Sequence, residues 1–289
     1  MSKQHWNPWH DAAIERAFID LSDGQMHIRR TRAMPRAAIP LLMLHASPAS
    51  SRTLVPYMRE LAPSVRCIAP DTPGFGDSAP PSQAAPTAAD YAKIMAQLLD
   101  ALGLGEVDLY GSHTGAHIAV ELALQRPRQV RRLILDGVGL FDAEQKQQML
   151  ANYAPAVSAD DIGGQFNWAW HFVRDQCVYF PYFMRDAEHL RMLPMADART
   201  LHATVTDVLK ALTTYHLGYR AAFSHDDRAQ LAKLTQSVLV TADASDPLRV
   251  HVPLAAELIR NSRTAITPPT TEVDYLAAKI RVLAEFLGG

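Results

Sequence analysis

The chain has 289 residues, enough to bury a large core as one α/β domain that carries an insertion. Its 28 basic and 30 acidic residues leave a formal charge of -2, so charge gives no reason to expect a nucleic acid or an anionic membrane as a partner. With only Cys67 and Cys177, the sequence indicates neither a disulfide framework nor a metal cluster.

The amino-terminal segment 1–12 is polar, contains Trp6 and Trp9, and lacks the apolar stretch of a signal peptide. No apolar run in the sequence approaches the roughly 18–20 residues needed to span a bilayer. We therefore expect a soluble cytoplasmic protein without a membrane partner.

The first half of the chain predicts strands and helices in alternation, and the turn signal Ser22-Asp23-Gly24 joins the first two strands. The predicted strands are Ile14–Leu21, Gln25–Arg30, Ile39–Leu44, Val65–Ala69, Val107–Tyr110 and Arg132–Gly137. The predicted helices are Ser51–Leu61, Thr87–Leu102 and Thr114–Gln125. Such alternation calls for a parallel sheet with right-handed crossover connections.

From residue 140 to residue 230 the pattern changes to helical segments rich in aromatic residues, with no clear strand. Beyond it the chain predicts strand Ser237–Thr241, helix Val252–Asn261, strand Thr264–Thr267 and helix Val273–Leu287. We therefore expect a core formed by residues 1–139 and 231–289, with residues 140–230 as a separate helical unit.

The segment Gly111-Ser112-His113-Thr114-Gly115 connects a predicted strand to a predicted helix. A strained turn of this kind, the nucleophile elbow, needs small residues two positions before and two positions after its tip. In this frame the exposed tip is His113, where a hydrolase would carry its nucleophile.

Four motifs occur in the order found in the α/β-hydrolase fold family, and together they extend over nearly the whole chain. They are Leu44–Pro48, Asp71–Ser78, Gly111–Gly115 and Val238–Pro247. The chain resembles that family. The resemblance implies a mostly parallel sheet flanked by helices, a helical cap at residues 140–230 and a catalytic acid at Asp246.

Two positions depart from the family pattern: His113 replaces the nucleophile, and the loop Thr267–Val273 lacks the usual histidine. An ordinary Ser-His-Asp triad cannot be assembled from such a sequence. However, an imidazole reaches farther than a serine hydroxyl, and the missing histidine vacates the space before the acid. We therefore predict a catalytic His113–Asp246 dyad in which the carboxylate orients a histidine base.

Further site residues follow from the resemblance. It implies an oxyanion hole formed by the backbone N–H groups of Ala46 and Thr114. The candidate substrate contacts are His45, Trp168, Trp170, His171 and Arg174. Each has a plainer interpretation: His45 would stabilise its loop, the aromatic residues would form the core of the cap, and Arg174 would pair with its neighbour Asp175.

Two alternatives for the missing triad members stay open, namely Ser112 as a shifted nucleophile and His251 as a replacement histidine. Ser112 is expected to face away from the tip, and His251 is expected at a helix start on the surface. The Gly74–Gly76 turn lacks the rest of a dinucleotide fingerprint, so we expect no cofactor, and no residue spacing indicates a metal.

The sequence thus predicts an enzyme that acts on a small carbonyl or ester substrate, and a hydrolase is the leading interpretation. A cofactor-independent lyase or decarboxylase on the same site is one alternative. A catalytically silent ligand-binding protein is another. Homodimer formation through the cap or an edge strand is a further expectation from the family.

Overall fold

The computed structural model describes residues 13–32 and 39–288, and within these ranges eight strands form a single sheet. In chain order they are β1 (Ile14–Leu21), β2 (Gly24–Thr31), β3 (Leu41–Leu44), β4 (Cys67–Pro70), β5 (Val107–Ser112), β6 (Val130–Asp136), β7 (Ser237–Asp243) and β8 (Ser262–Thr267). Their order across the sheet is β1-β2-β4-β3-β5-β6-β7-β8. β2 pairs antiparallel with both β1 and β4, and all other pairs are parallel.

Ten α-helices occur in the same described ranges. They are α1 (Val55–Leu61), α2 (Ala88–Ala101), α3 (Thr114–Gln125), α4 (Ala143–Asn152), α5 (Gly164–Val178), α6 (Ala198–Lys210), α7 (Tyr215–Phe223), α8 (Asp227–Leu231), α9 (Val252–Leu258) and α10 (Tyr275–Gly288). None of these helices is both long and apolar enough to cross a membrane. The segment 1–12, where the sequence predicts no signal peptide, lies outside the described residues.

Strand β3 shows why the sheet is covered on both faces. All four of its residues are buried. Leu42 and Leu44 pack in the cluster that contains α2 and α3, whereas Leu41 and Met43 pack in the cluster that contains α1 and α10. A strand buried on both faces reads as a continuous apolar run, because successive side chains point to opposite faces. The predicted α/β class is confirmed.

Several predicted boundaries are wrong, for local reasons. The helix predicted from Ser51 begins as a 3-10 turn and becomes α-helical only at Val55. The strand predicted to end at Tyr110 extends through Ser112, because Gly111 and Ser112 continue the pairing with β6. The helix predicted to reach Asn261 ends at Leu258, since the next residue adopts an extended conformation.

Helices α4 to α8 lie between β6 and β7, and we call residues 140–230 the helical insertion. Its own core is aromatic and includes Tyr153, Phe172, Tyr215 and Tyr219, with Phe75 from the sheet-forming part of the chain packed against them. The insertion therefore packs against the sheet domain through a shared apolar cluster, next to the loop that follows β4.

Candidate active site

The connection between β5 and α3 is a strained turn whose tip is His113. This residue has φ 49° and ψ −113°, a positive φ that non-glycine residues rarely adopt. A Cβ atom on Gly111 would lie 2.3 Å from the carbonyl oxygen of Gly115, and one on Gly115 would lie 2.4 Å from that of Leu44. The turn can therefore form only with glycine at both positions.

The His113 ring contacts the carboxylate of Asp246, at the end of the turn that follows β7. His113 Nε2 lies 3.1 Å from Asp246 Oδ2, and the other carboxylate oxygen accepts the Leu248 N–H at 2.8 Å. The side chain of Asp246 is 5% exposed, whereas that of His113 is 41% exposed. A fixed, buried carboxylate thus holds an imidazole that remains open to solvent.

Gly137 passes directly beneath this pair. It has φ 69°, and a Cβ atom there would lie 2.6 Å from Asp246 Oδ2 and 2.9 Å from His113 Nε2. The backbone at Gly137 therefore fills the space below the contact, and no side chain can be accommodated.

The two groups shift each other's proton affinity. Desolvation lowers the pKa of His113, but the nearby carboxylate of Asp246, followed by Asp136 and Asp243, outweighs it and raises the pKa above its usual value. Desolvation raises the pKa of Asp246, but His113, the Leu248 N–H and Arg191 lower it to about 2. Asp246 is consequently ionised near neutral pH.

The second ring nitrogen of His113 contacts Ser112, with Oγ 3.0 Å from Nδ1. The expectation that Ser112 faces away from the tip is therefore wrong. Successive side chains alternate only in a regular strand, and the positive φ of His113 ends that alternation. Because a carboxylate only accepts, the proton of the neutral ring lies on Nε2, and Nδ1 accepts from the Ser112 hydroxyl.

The dyad opens into a cavity of about 290 Å³ between the sheet and the helical insertion. Ala46 and Thr114, whose N–H groups are the predicted oxyanion donors, both line it. Thr114 is the first residue of α3, so its N–H has no acceptor within the helix. The apolar part of the wall includes Phe141, Tyr153, Phe180, Tyr219, Phe223 and Leu248.

A family model of the alpha/beta hydrolase fold matches residues 39–270. The chain belongs to the α/β-hydrolase fold family. Among curated relatives, the 2-hydroxymuconate semialdehyde hydrolase of Pseudomonas sp. (strain CF600) is 40% identical over 107 residues, which cover 35% of this chain and 37% of that protein. Haloalkane dehalogenase 2 of Mycobacterium tuberculosis (strain ATCC 25618 / H37Rv) is 28% identical over 131 residues, 45% of this chain and 44% of that protein. The matched segments thus span less than half the length of either relative.

Solved structures show the same fold over the whole chain. A hydrolase from Pseudomonas aeruginosa PA01 superposes with a TM-score of 0.70 at 24% identity, covering 96% of this chain and 100% of its own. The enol-lactonase from Burkholderia xenovorans LB400 gives a TM-score of 0.70 at 15% identity, covering 94% of this chain and 100% of its own. At these identities the likeness establishes the fold alone.

In the α/β-hydrolase frame, the loop after β8 would carry the catalytic histidine. Here Thr270 from that loop lines the cavity. His251, the other histidine considered for this role, begins α9, is half-buried and packs against Phe141. It is not among the residues that line the cavity within the described part of the chain.

His45 supports the loop that carries Ala46. Its Nε2 accepts the Thr72 N–H at 2.9 Å, so Nδ1 carries the proton and donates to the Ala46 carbonyl at 2.9 Å. Burial lowers the pKa of His45, which keeps the ring neutral. The ring is 1% exposed and lies outside the cavity lining.

The four candidate contacts on α5 also lie outside the lining of this cavity. Trp168 stacks on Phe172 with ring centroids 5.0 Å apart, inside the core of the insertion. Trp170, His171 and Arg174 are exposed, and Arg174 pairs with the neighbouring Asp175 at 3.1 Å. The aromatic composition of this segment predicts burial but not which face of the helix is turned towards the cavity.

Arg191 and Gln176 are cavity residues that the sequence did not single out. Arg191 Nη1 donates to the Gln176 carbonyl at 2.9 Å, and Nη2 donates to the Ser245 carbonyl at 3.3 Å. Arg191 therefore links the helical insertion to the turn that carries Asp246. A lone arginine between two turns has no periodicity that would have marked it in the sequence.

Two clusters in the described chain bring histidine and carboxylate groups within reach of a metal ion, namely His27, Asp71 and Asp77, and His117, His225 and Asp227. In the first, Asp71 pairs with His27 Nδ1 at 2.8 Å and also accepts from Ser51. Arg16 donates to the other nitrogen of His27. The first cluster is thus a hydrogen-bonded support for the loop after β4.

Proposed function

We propose that the chain is a hydrolase of small carbonyl or ester substrates that uses the His113–Asp246 dyad in place of a Ser-His-Asp triad. The observation that carries the proposal is the 3.1 Å contact between His113 Nε2 and the buried carboxylate of Asp246, at the tip of the elbow and at the wall of a cavity. Membership of the α/β-hydrolase fold family supports hydrolysis as the reaction class.

The base in this mechanism is His113 Nδ1, since the proton on Nε2 is held by Asp246. Once the Ser112 hydroxyl has rotated away from Nδ1, this nitrogen takes a proton from water, the hydroxide oxygen bonds to the substrate carbonyl carbon, and the carbonyl electrons move onto the carbonyl oxygen. Asp246 stabilises the imidazolium that forms. The Ala46 and Thr114 N–H groups would hold the oxyanion, a contribution of about 3 kcal/mol per donor in comparable sites.

The cavity favours a small substrate with an apolar part. Its volume of about 290 Å³ and its aromatic wall suit a compact organic molecule, and the helical insertion would act as the cap that excludes bulk water. The same base could also remove a carbon-bound proton, as a lyase or decarboxylase would require. Analysis of the products distinguishes these reactions, because hydrolysis incorporates oxygen from water.

A second candidate is a serine hydrolase with Ser112 as nucleophile. It is favoured by the 3.0 Å contact between Ser112 Oγ and His113 Nδ1, which sets serine, histidine and aspartate in one chain of hydrogen bonds. It differs from water attack in requiring a covalent intermediate on Ser112.

The test compares the wild type with His113→Ala and Ser112→Ala on short-chain p-nitrophenyl esters and with a fluorophosphonate probe. Water attack predicts at least a 100-fold loss in His113→Ala, less than a tenfold loss in Ser112→Ala, and no labelling. Labelling at Ser112 with loss of turnover in Ser112→Ala would replace water attack by the serine mechanism. Ligand binding in a thermal-shift assay without turnover or labelling would make the protein a silent binding protein and refute the proposal.

A further inference from the structure

A second group of ionisable side chains lies beside the same cavity. His117 follows His113 by four residues on α3 and also lines the cavity, and Glu121 is one turn farther along the helix. His225 and Asp227 lie at the connection between α7 and α8. We call His117, Glu121, His225 and Asp227 the buried quartet, since none of them is more than 8% exposed.

Short hydrogen bonds fix the protons in the buried quartet. Asp227 Oδ1 lies 2.6 Å from His117 Nδ1 and 2.7 Å from His225 Nδ1, and Glu121 Oε1 lies 2.9 Å from His225 Nε2. Because ionised carboxylates only accept, both nitrogens of His225 carry protons and His225 is an imidazolium. Desolvation lowers the pKa of His225, but Asp227 and Glu121 raise it to about 9.

His117 is the member of the buried quartet that reaches the cavity. Its Nδ1 donates to Asp227, so its remaining nitrogen, Nε2, is the atom available to a substrate. Within the described residues Nε2 makes no hydrogen bond. It is also not one of the fully buried polar atoms that lack a partner, so this nitrogen keeps some exposure. By contrast, Asp227 Oδ2 is fully buried without a partner.

The charges of the buried quartet do not balance while His117 is neutral. Two carboxylates then face one imidazolium, and the Lys146 ammonium, which is hydrogen-bonded to this cluster, donates to the backbone carbonyl of His225 and not to either carboxylate. Buried charge without compensation is costly. The buried carboxylate of Asp227 therefore lies against the Nδ1 side of His117, and a proton carried on Nε2 would face the cavity.

We propose that His117 is a second catalytic residue, a general acid that delivers a proton from Nε2 to the leaving group. This inference rests on the proposed function, in which His113 is the base. The substrates it implies are acyl compounds whose leaving group is a strong base, such as the alkoxide of an alkyl ester. Such a group departs readily only when it is protonated.

The proton balance over one turnover is closed. Water gives one proton to His113 Nδ1 and its oxygen to the carbonyl carbon, which forms the tetrahedral oxyanion. As the carbonyl re-forms, the bond to the leaving oxygen breaks, its electron pair stays on that oxygen, and His117 Nε2 supplies the proton. The products are an acid and an alcohol, and solvent returns one proton from His113 to His117.

The distances in the buried quartet are those of hydrogen bonds. The 2.6 and 2.7 Å separations are close to the optimum for charge-assisted N–H···O⁻ contacts, whereas two ligands bound to one zinc ion at about 2.0–2.1 Å in tetrahedral geometry would lie farther apart. We therefore infer that these histidine nitrogens carry protons and do not bind a metal ion. A stoichiometric zinc ion in the purified protein that is lost in His225→Gln would overturn the assignment.

The deciding experiment uses two esters with one acyl group, p-nitrophenyl butyrate and ethyl butyrate. The nitrophenolate leaves without a proton, whereas ethoxide needs one. His117→Gln should lower the ratio of the ethyl rate to the nitrophenyl rate at least tenfold, and the exposed control His202→Gln should keep the wild-type ratio. A defect that is only structural would reduce both rates together, and an unchanged ratio in His117→Gln would overturn the proposal.

Histidine-ring NMR of the wild type gives a readout that needs no turnover. We expect the fixed proton of the His117 ring on Nδ1, against Asp227, and Nε2 as the nitrogen that exchanges protons with solvent. A ring protonated on Nε2 with Nδ1 bare would overturn the proposal whatever the activity. Failure of the proposed function looks different: His113→Ala would then keep the wild-type rate on both esters, while the ratio in His117→Gln still decides the role of His117.

Discussion

The cavity brings together two histidine–aspartate pairs whose surroundings differ. At His113 the ring is 41% exposed, a single carboxylate contacts one nitrogen and a serine hydroxyl contacts the other. At His117 the side chain is 6% exposed, and the Asp227 carboxylate that it contacts also contacts the His225 imidazolium. The comparison shows that the same two residue types occupy different electrostatic surroundings, and our proposals give them different proton tasks for that reason.

The exposed pair is suited to take up a proton, because the Nδ1 lone pair of the neutral ring is engaged by the hydroxyl of Ser112, which can rotate away. His117 in the buried quartet is suited to deliver one, because its Nδ1 is held by the buried carboxylate of Asp227 and its Nε2 is left to face the cavity. Neither task could be assigned from the residue types alone. Substitutions that remove one carboxylate or one cation at a time should therefore have different effects at the two histidine–aspartate pairs.

The largest effect is expected for Asp246→Asn, which removes the carboxylate that contacts His113. Activity should fall by about two to four orders of magnitude. Because Asp246 is the main group that raises the pKa of His113, that pKa should fall and the acidic limb of the rate profile should move to lower pH. NMR titration of His113 checks the shift. Asp243→Asn is the matched control, since its carboxylate influences His113 less; an equal shift there would contradict the assignment.

His225→Gln should have an intermediate effect, on stability. The pKa of His225 is about 9 in the folded chain, against an ordinary 6.5. Because the folded chain binds this proton more tightly than the unfolded chain, protonation of His225 stabilises the fold. The stabilisation is fully present below pH 6.5 and is lost as the pH rises through 9. The difference corresponds to roughly 3 kcal/mol. Urea unfolding should therefore show the wild type losing stability relative to His225→Gln between pH 6.5 and 9.5. Parallel curves for the two proteins would refute the charge assignment in the buried quartet.

The smallest effect is expected for Arg191→Ala, which removes one hydrogen bond to Gln176 within the helical insertion and one to Ser245 in the turn of Asp246. At about 1 kcal/mol for each bond, the loss of unfolding free energy should be about 1–2 kcal/mol. KM should rise several-fold with a smaller change in kcat. The substitution loosens the insertion that covers the cavity but leaves the contact between His113 and Asp246 in place. Arg185→Ala is the control, since this exposed arginine pairs with Asp175 and does not line the cavity in the described part of the chain. Equal changes in KM and in unfolding free energy in both variants would show that Arg191 has no special role in holding the insertion at the cavity.

The sequence predicted features that depend on local rules. The four buried residues of β3 appear as an uninterrupted apolar run, and the glycines that flank His113 mark a turn that no larger residue permits. The contact between His113 and Asp246 was predicted from the absence of a histidine in the last loop. The structure places these two side chains together, and their catalytic role stays a prediction.

The rest of the site depends on tertiary packing. His117 and Asp227 are separated by 110 positions in the chain, and they meet only because α8 packs against α3. Helix α5 has aromatic residues on several faces, so its sequence did not reveal that Gln176, at its end, reaches the cavity while Trp170 faces outward. The pattern of residues close in sequence predicts neither which distant side chains will meet nor which face of a helix will be turned towards the cavity.

The backbone at Gly137 has a consequence for how such a site can arise. Any side chain at this position would meet both the Asp246 carboxylate and the His113 ring, so at least one of them would have to move and their contact would be disturbed. Glycine at 137 is therefore as much a part of the site as the histidine and the aspartate. In other chains of this fold, glycine at the residue after β6 together with histidine at the turn and a histidine-free final loop forms a three-part signature by which sites of the same design can be recognised.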